Sequence, residues 1–162
     1  MAIALQETAM IKTGGCLCGE TRYQISAEPL RSSVCHCRYC QLRARSAFGV
    51  SIYFQDDEVT LLSGTLDSFS YLTESGHSAK NGRCSICGTN LFWTIDAPSY
   101  IRLKGVAGGT FDPPKFWFKL TRSVFSRLKA SFCEIVVPKE QVTHPDYAPL
   151  KQEEERLSGK KR

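Results

Sequence analysis

Apolar and polar positions alternate over short stretches, and almost nowhere does a helical period persist. Residues 21–25 alternate and stop before Ala27-Glu28-Pro29, which predicts a strand and a turn. Residues 30–34, 48–54, 59–62, 66–72, 91–95, 100–103 and 132–137 are further strand candidates, rich in β-branched or aromatic residues. Ser63-Gly64-Thr65 reads as a hairpin turn between two of them. Residues 41–47 hold helix formers and predict one short helix. Residues 105–109 are glycine-rich and read as flexible, and Asp112-Pro113-Pro114 as a turn. Many short strands separated by turn signals predict a mostly antiparallel β fold. Residues 1–13 read as a loose arm, 14–137 as one domain, and 138–162 as a polar tail with a surface helix over 150–157 or no fixed structure.

Composition narrows the picture modestly. A chain of 162 residues, 42% hydrophobic and 23% charged, suits one ordinary domain with a real core. No apolar run approaches the roughly 20 residues that span a bilayer, and the apolar start at Met1 to Leu5 makes a poor signal peptide. That points to the cytoplasm, where clustered thiols hold metal more often than they form bridges. The net charge of +5 suits anionic ligands but forms no dense basic stripe, so a nucleic-acid partner is not indicated.

The cysteines change the picture most. Seven of the eight fall into Cys16-Leu17-Cys18, Cys35-His36-Cys37-Arg38-Tyr39-Cys40 and Cys84-Ser85-Ile86-Cys87. Each outer pair can place two sulfurs on one metal. Joined, Cys16, Cys18, Cys84 and Cys87 complete a tetrahedral structural zinc site, whose binding energy becomes folding energy. Cys35, Cys37 and Cys40 reach a second zinc together and leave its fourth position open, as a reactive zinc requires. His36 lies between two ligands and is expected to point away. The alternative is a closed site with Cys133 as fourth ligand, although its apolar neighbours suit a buried free thiol.

Arg38, Arg43 and Arg45, in or just after the triplet, can grip the carboxylates of an anionic substrate or can form a solvated helix face. Thr89 and Asn90 follow the second knuckle and are read as structural, bonding to sulfur or backbone. Trp93 and Trp117 read as core residues, Phe116-Trp117-Phe118 as an aromatic pocket wall, and His77 and His144 as surface residues.

In order and spacing, Gly14-Gly15-Cys16-Leu17-Cys18-Gly19, Tyr23, the central triplet and Cys84-Ser85-Ile86-Cys87-Gly88-Thr89 resemble the glutathione-dependent formaldehyde-activating enzyme family, which includes centromere protein V-like proteins. The resemblance runs from about residue 14 to about residue 137. It implies an Mss4-like β-tent of twisted antiparallel sheets with little helix. It also implies two zinc ions, structural on Cys16, Cys18, Cys84 and Cys87 and catalytic on Cys35, Cys37 and Cys40. The implied activity is that of a carbon–sulfur lyase, joining glutathione and formaldehyde to S-hydroxymethylglutathione, or acting on a related thiol. The competing reading is a non-catalytic two-zinc module that contacts protein or nucleic acid. Oligomeric state is not legible.

Overall fold

A computed structural model describes residues 10–73 and 76–144. Among these residues the fold is mostly β, with two sheets and one short α-helix. A three-stranded antiparallel sheet holds β1 (Lys12–Gly15), β2 (Arg22–Ile25) and β5 (Val59–Ser63) in the order β1-β2-β5. The larger sheet comprises β3 (Arg31–Cys35), β4 (Gly49–Gln55), β6 (Leu66–Leu72), β7 (Ser78–Cys84), β8 (Asn90–Ile95), β9 (Leu103–Ala107) and β10 (Arg122–Val124). Its order is β10-β3-β4-β9-β8-β7-β6, antiparallel except where β10 runs parallel to β3. The helix α1 (Arg38–Ala44) joins β3 to β4.

Alternation along the strands sends side chains to two cores. On one face of the large sheet, Ile52, Phe54, Leu91, Phe92 and Val106 meet Tyr23, Ile25 and Val59 of the small sheet. On the other, Tyr53, Tyr71, Trp93 and Ile95 pack with Tyr39 of α1, Tyr100, Phe125 and the cysteine triplet. The second core therefore contains the cysteine triplet, while Cys16 and Cys84 belong to the first.

Several expectations need correction. The helix begins at Arg38, not residue 41, because Cys37 acts as its N-cap and its sulfur accepts the Cys40 N–H at 3.4 Å. Residues 63–65 do turn, but β5 and β6 part into different sheets and form no hairpin. Residues 100–103 contribute only Leu103 to a strand, while the glycine-rich stretch read as flexible holds most of β9. Residues 132–137 form no strand: the segment pairs with no described strand, and Phe132 is 82% exposed. β10 was not foreseen. Strand β1 takes in Lys12 and Thr13, and hydrogen bonds such as Gln141 N–H to Ser123 O extend the order past residue 137. The helix considered for residues 150–157, and residues 1–9 of the arm, lie outside the described residues. Among the described residues, no helix is long and apolar enough to cross a membrane.

Candidate metal centres and the adjoining cavity

Two thiol clusters form. In the first, the sulfurs of Cys16, Cys18, Cys84 and Cys87 all lie within 4.8 Å of one another. Cys16 and Cys18 sit in the β1–β2 loop, whereas Cys84 ends β7 and Cys87 lies in the turn to β8. The knuckles turn back at Gly19 and Gly88, whose φ angles of +81° and +72° favour glycine. A tetrahedral zinc about 2.3 Å from each sulfur sets its ligand sulfurs roughly 3.8 Å apart. The Cys18–Cys84 and Cys16–Cys18 separations are 3.8 and 3.4 Å. Donors already point at the sulfurs: Thr21 N–H lies 3.2 Å from Cys16 Sγ, and Thr89 Oγ1 lies 3.1 Å from Cys87 Sγ. The Thr89 hydrogen bonds hold Cys87 at about 5. A backbone hydrogen bond at Glu20 favours the Cys18 thiolate, yet the adjacent Cys16 pushes Cys18 up to about 12. Four thiols this close resist full ionisation unless a cation joins them, so the donor set fits a soft dication.

The second cluster joins Cys35 at the end of β3, Cys37 at the helix cap and Cys40 in the first turn of α1. All three are buried. Hydrogen bonds from Cys35 and Cys37 hold Cys40 well below the usual thiol value, and the Arg43 charge adds to this. Contact with Cys35 and Cys40, together with burial, pushes Cys37 well above it. Here too the geometry and charge balance fit a bound dication. His36 turns the other way, fully buried, with its Nε2 3.0 Å from Ser123 Oγ. Cys133 belongs to neither cluster and is only half-buried, so it is neither a core thiol nor within reach as the fourth ligand.

Arg43 is the residue that sequence reasoning undervalued. Its Nη2 donates to Cys40 Sγ at 3.3 Å, and its guanidinium lies 3.5 Å from the Trp93 ring centroid. Its backbone carbonyl accepts from Asn90 Nδ2 at 2.9 Å, which joins α1 to the second knuckle. Trp93 in turn donates from Nε1 to Tyr53 Oη at 2.9 Å. Gly105 stands opposite both Tyr53 and Trp93 in the ladder, and its missing side chain makes room for the indole.

Beside this network lies a cavity of about 580 Å³. Arg43, Arg45 and Arg83 line it together with Tyr39, Tyr71, Phe69 and Phe116, and among the described residues no acidic side chain does. The cysteine sulfurs are not in its wall; Arg43 and Gly49 separate it from Cys40. Arg38 stays outside it, with its Nη1 3.4 Å from Gln41 Oε1. Of the expected aromatic wall only Phe116 reaches the cavity; Phe118 and Trp117 pack with the other core. His77 pairs with Asp96 at the surface. His144 is no surface residue: it is 4% exposed, and its Nε2 lies 2.7 Å from Tyr100 Oη. Nothing in its sequence neighbourhood signals this, because its partner lies 44 residues away.

A small β fold with one four-cysteine and one three-cysteine cluster defines a class of metal-compatible thiol proteins. The family model for the glutathione-dependent formaldehyde-activating enzyme matches residues 11–127, and the chain belongs to that family. A crystal structure of a Rhodobacter sphaeroides protein, solved as a structural-genomics target, is 20% identical, with 62% of this chain and 88% of that chain covered and a TM-score of 0.49. No curated protein matches the chain.

Proposed function

We propose that the protein is a zinc-dependent carbon–sulfur lyase that joins a thiol to an aldehyde and separates them again. Glutathione and formaldehyde, giving S-hydroxymethylglutathione, are the family's substrates and the first pair to test. The observation that carries this reading is the unequal pair of clusters: four sulfurs saturate a tetrahedral ion, whereas three beside a cavity do not. Cys16, Cys18, Cys84 and Cys87 would hold a structural zinc, and Cys35, Cys37 and Cys40 a catalytic one. When bound there, zinc supplies a Lewis acid with a free coordination position, at which a thiol ionises readily and a carbonyl is polarised.

The chain's own residues do the rest. Arg43 presents a fixed cation between the cavity and Cys40, where it draws the carboxylate of a thiol substrate toward the sulfurs. Trp93 holds the guanidinium in place. The buried rings of Tyr39 and Tyr71 keep the approach dry and strengthen that attraction. In the forward direction a C–S bond forms, the carbonyl π bond breaks, and the thiol proton ends on the new hydroxyl oxygen. No redox partner is needed. The substrates are small metabolites of the cytoplasm, the proposed location.

The test is turnover of thiol–aldehyde adducts, followed by proton NMR, in zinc-loaded protein and in Cys37→Ser. The lyase reading requires zinc-dependent turnover that Cys37→Ser abolishes while one zinc remains bound. Absence of turnover across a panel of small thiols and aldehydes would overturn it and favour the binding-module alternative.

A further inference from the structure

The cavity has features that a formaldehyde adduct does not use. Three rings run in near-parallel succession along one wall. Tyr39 and Tyr71 stack with centroids 5.4 Å apart and planes 6° apart, and Phe69 continues the series 6.2 Å from Tyr71 at 20°. Tyr39 and Tyr71 are buried, but Phe69 is 55% exposed. Phe116, also in the wall, is exposed and has a φ of +53°. A bulky side chain is rarely found in the left-handed region, so the fold holds this ring at the cavity against its backbone preference.

Charge in the same wall is one-sided. Arg43, Arg45 and Arg83 line the cavity, and among the described residues no carboxylate joins them. Arg83 is shared with Asp67 through an exposed contact of 3.8 Å, whereas Arg43 is fixed by Trp93. Arg45 is held at the helix end with a φ of +53°. Exposed aromatic faces beside arginines recognise ligands that are both flat and anionic.

We infer that the cavity binds a small carboxylate ligand bearing a planar ring, with the ring against Phe69 at the exposed end of the Tyr39–Tyr71–Phe69 series and the carboxylate at the arginines. As a statement about substrate it rests on the lyase reading and makes the preferred adduct one with an aryl group. As a statement about binding it stands independently.

The experiment is calorimetric titration of the zinc-loaded full chain with three probes: trans-cinnamate, its ring-saturated counterpart 3-cyclohexylacrylate, and the uncharged cinnamamide. Cinnamate binds about tenfold more tightly than either, because one probe lacks the flat ring and the other the charge. Phe69→Ala, which removes an exposed side chain, weakens cinnamate about fivefold and leaves the melting temperature unchanged. Equal affinity for the cyclohexyl acid, equal affinity for the amide, no effect of Phe69→Ala, or no binding of cinnamate at 10 mM, a probe concentration about tenfold above a millimolar fragment affinity, would each overturn the inference. These outcomes are separable from the lyase test. Turnover of aliphatic adducts without cinnamate binding removes this proposal alone, and cinnamate binding without turnover removes only the lyase reading.

Discussion

Gly105 shows how a single absent side chain positions the site. A Cβ built there would lie 2.2 Å from Trp93 Nε1, so the indole can cross the ladder to Tyr53 only over a glycine. Gly105→Ala therefore displaces Trp93, breaks its bond to Tyr53 and frees the guanidinium of Arg43. The expected cost is about 1–3 kcal/mol, the range for overpacking a filled core, read as a lower urea midpoint with altered tryptophan fluorescence. Asp112 acts more locally: it pairs with Arg22 of β2 and accepts from Thr13 Oγ1 of β1 at 2.6 Å. Arg22 first, and then Thr13, hold its carboxyl below the ordinary value of 3.8. A depressed carboxyl contributes stability that is present above about pH 4 and is lost as pH falls through the depressed value. Asp112→Asn should therefore destabilise the fold at neutral pH by about 1 kcal/mol or less for so exposed a pair, read from the urea midpoint, and the gap to the parent should close progressively as pH falls below about 4. A gap that persists unchanged into acid would show that the carboxylate charge contributes nothing.

At the scale of elements, the strands with long apolar or aromatic runs were legible, and so were both thiol clusters, because metal spacing is local in sequence. β4, β6 and β8 lie within a residue of where the pattern puts them. What was hidden depends on partners. β10 is three residues long and exists by pairing with β3, and β9 looks flexible until Trp93 is placed over Gly105. Residues 132–137 show the opposite case: a strand-like run that pairs with no described strand, with Val136 93% exposed. That matters because the strand reading makes Cys133 a buried core thiol, with ligation of the triplet as the alternative. With the segment irregular and Cys133 outside both clusters, Cys133→Ser should leave zinc content unchanged when measured by elemental analysis. Loss of about one zinc per chain would instead close the second site, since tetrahedral zinc needs only one ligand beyond three thiolates. Arg43 was legible as a cation near the triplet, but its stacking on Trp93, 50 positions later in the chain, was not.

Across the whole molecule, the four-cysteine cluster spans the two sheets. Cys16 and Cys18 come from the loop of the small sheet, and Cys84 and Cys87 from a turn of the large one. Apolar packing between Tyr23 or Ile25 and Phe92 already holds the sheets together, so the question is how much the proposed zinc adds. Structural zinc in small domains contributes about 10–16 kcal/mol of apparent binding energy, comparable with the whole stability of a domain at about 5–15 kcal/mol. The triplet is different: its three sulfurs come from one stretch of six residues and close no long loop. The two clusters should therefore separate in their effect on folding. Cys84→Ser is expected to lower the melting temperature steeply or to yield no folded protein, with slowed proton exchange lost in both sheets. Cys37→Ser should keep the far-ultraviolet circular dichroism spectrum of the parent, retain about one of two zinc ions and melt within a few degrees of it, since serine can still cap α1 and the change removes only one ligand of a local site. Stepwise chelation gives the same contrast without mutation: the first zinc released leaves the fold intact, and the second unfolds it. If the first ion removed already unfolds the chain, the triplet is a staple as well, and the division of labour between the clusters fails.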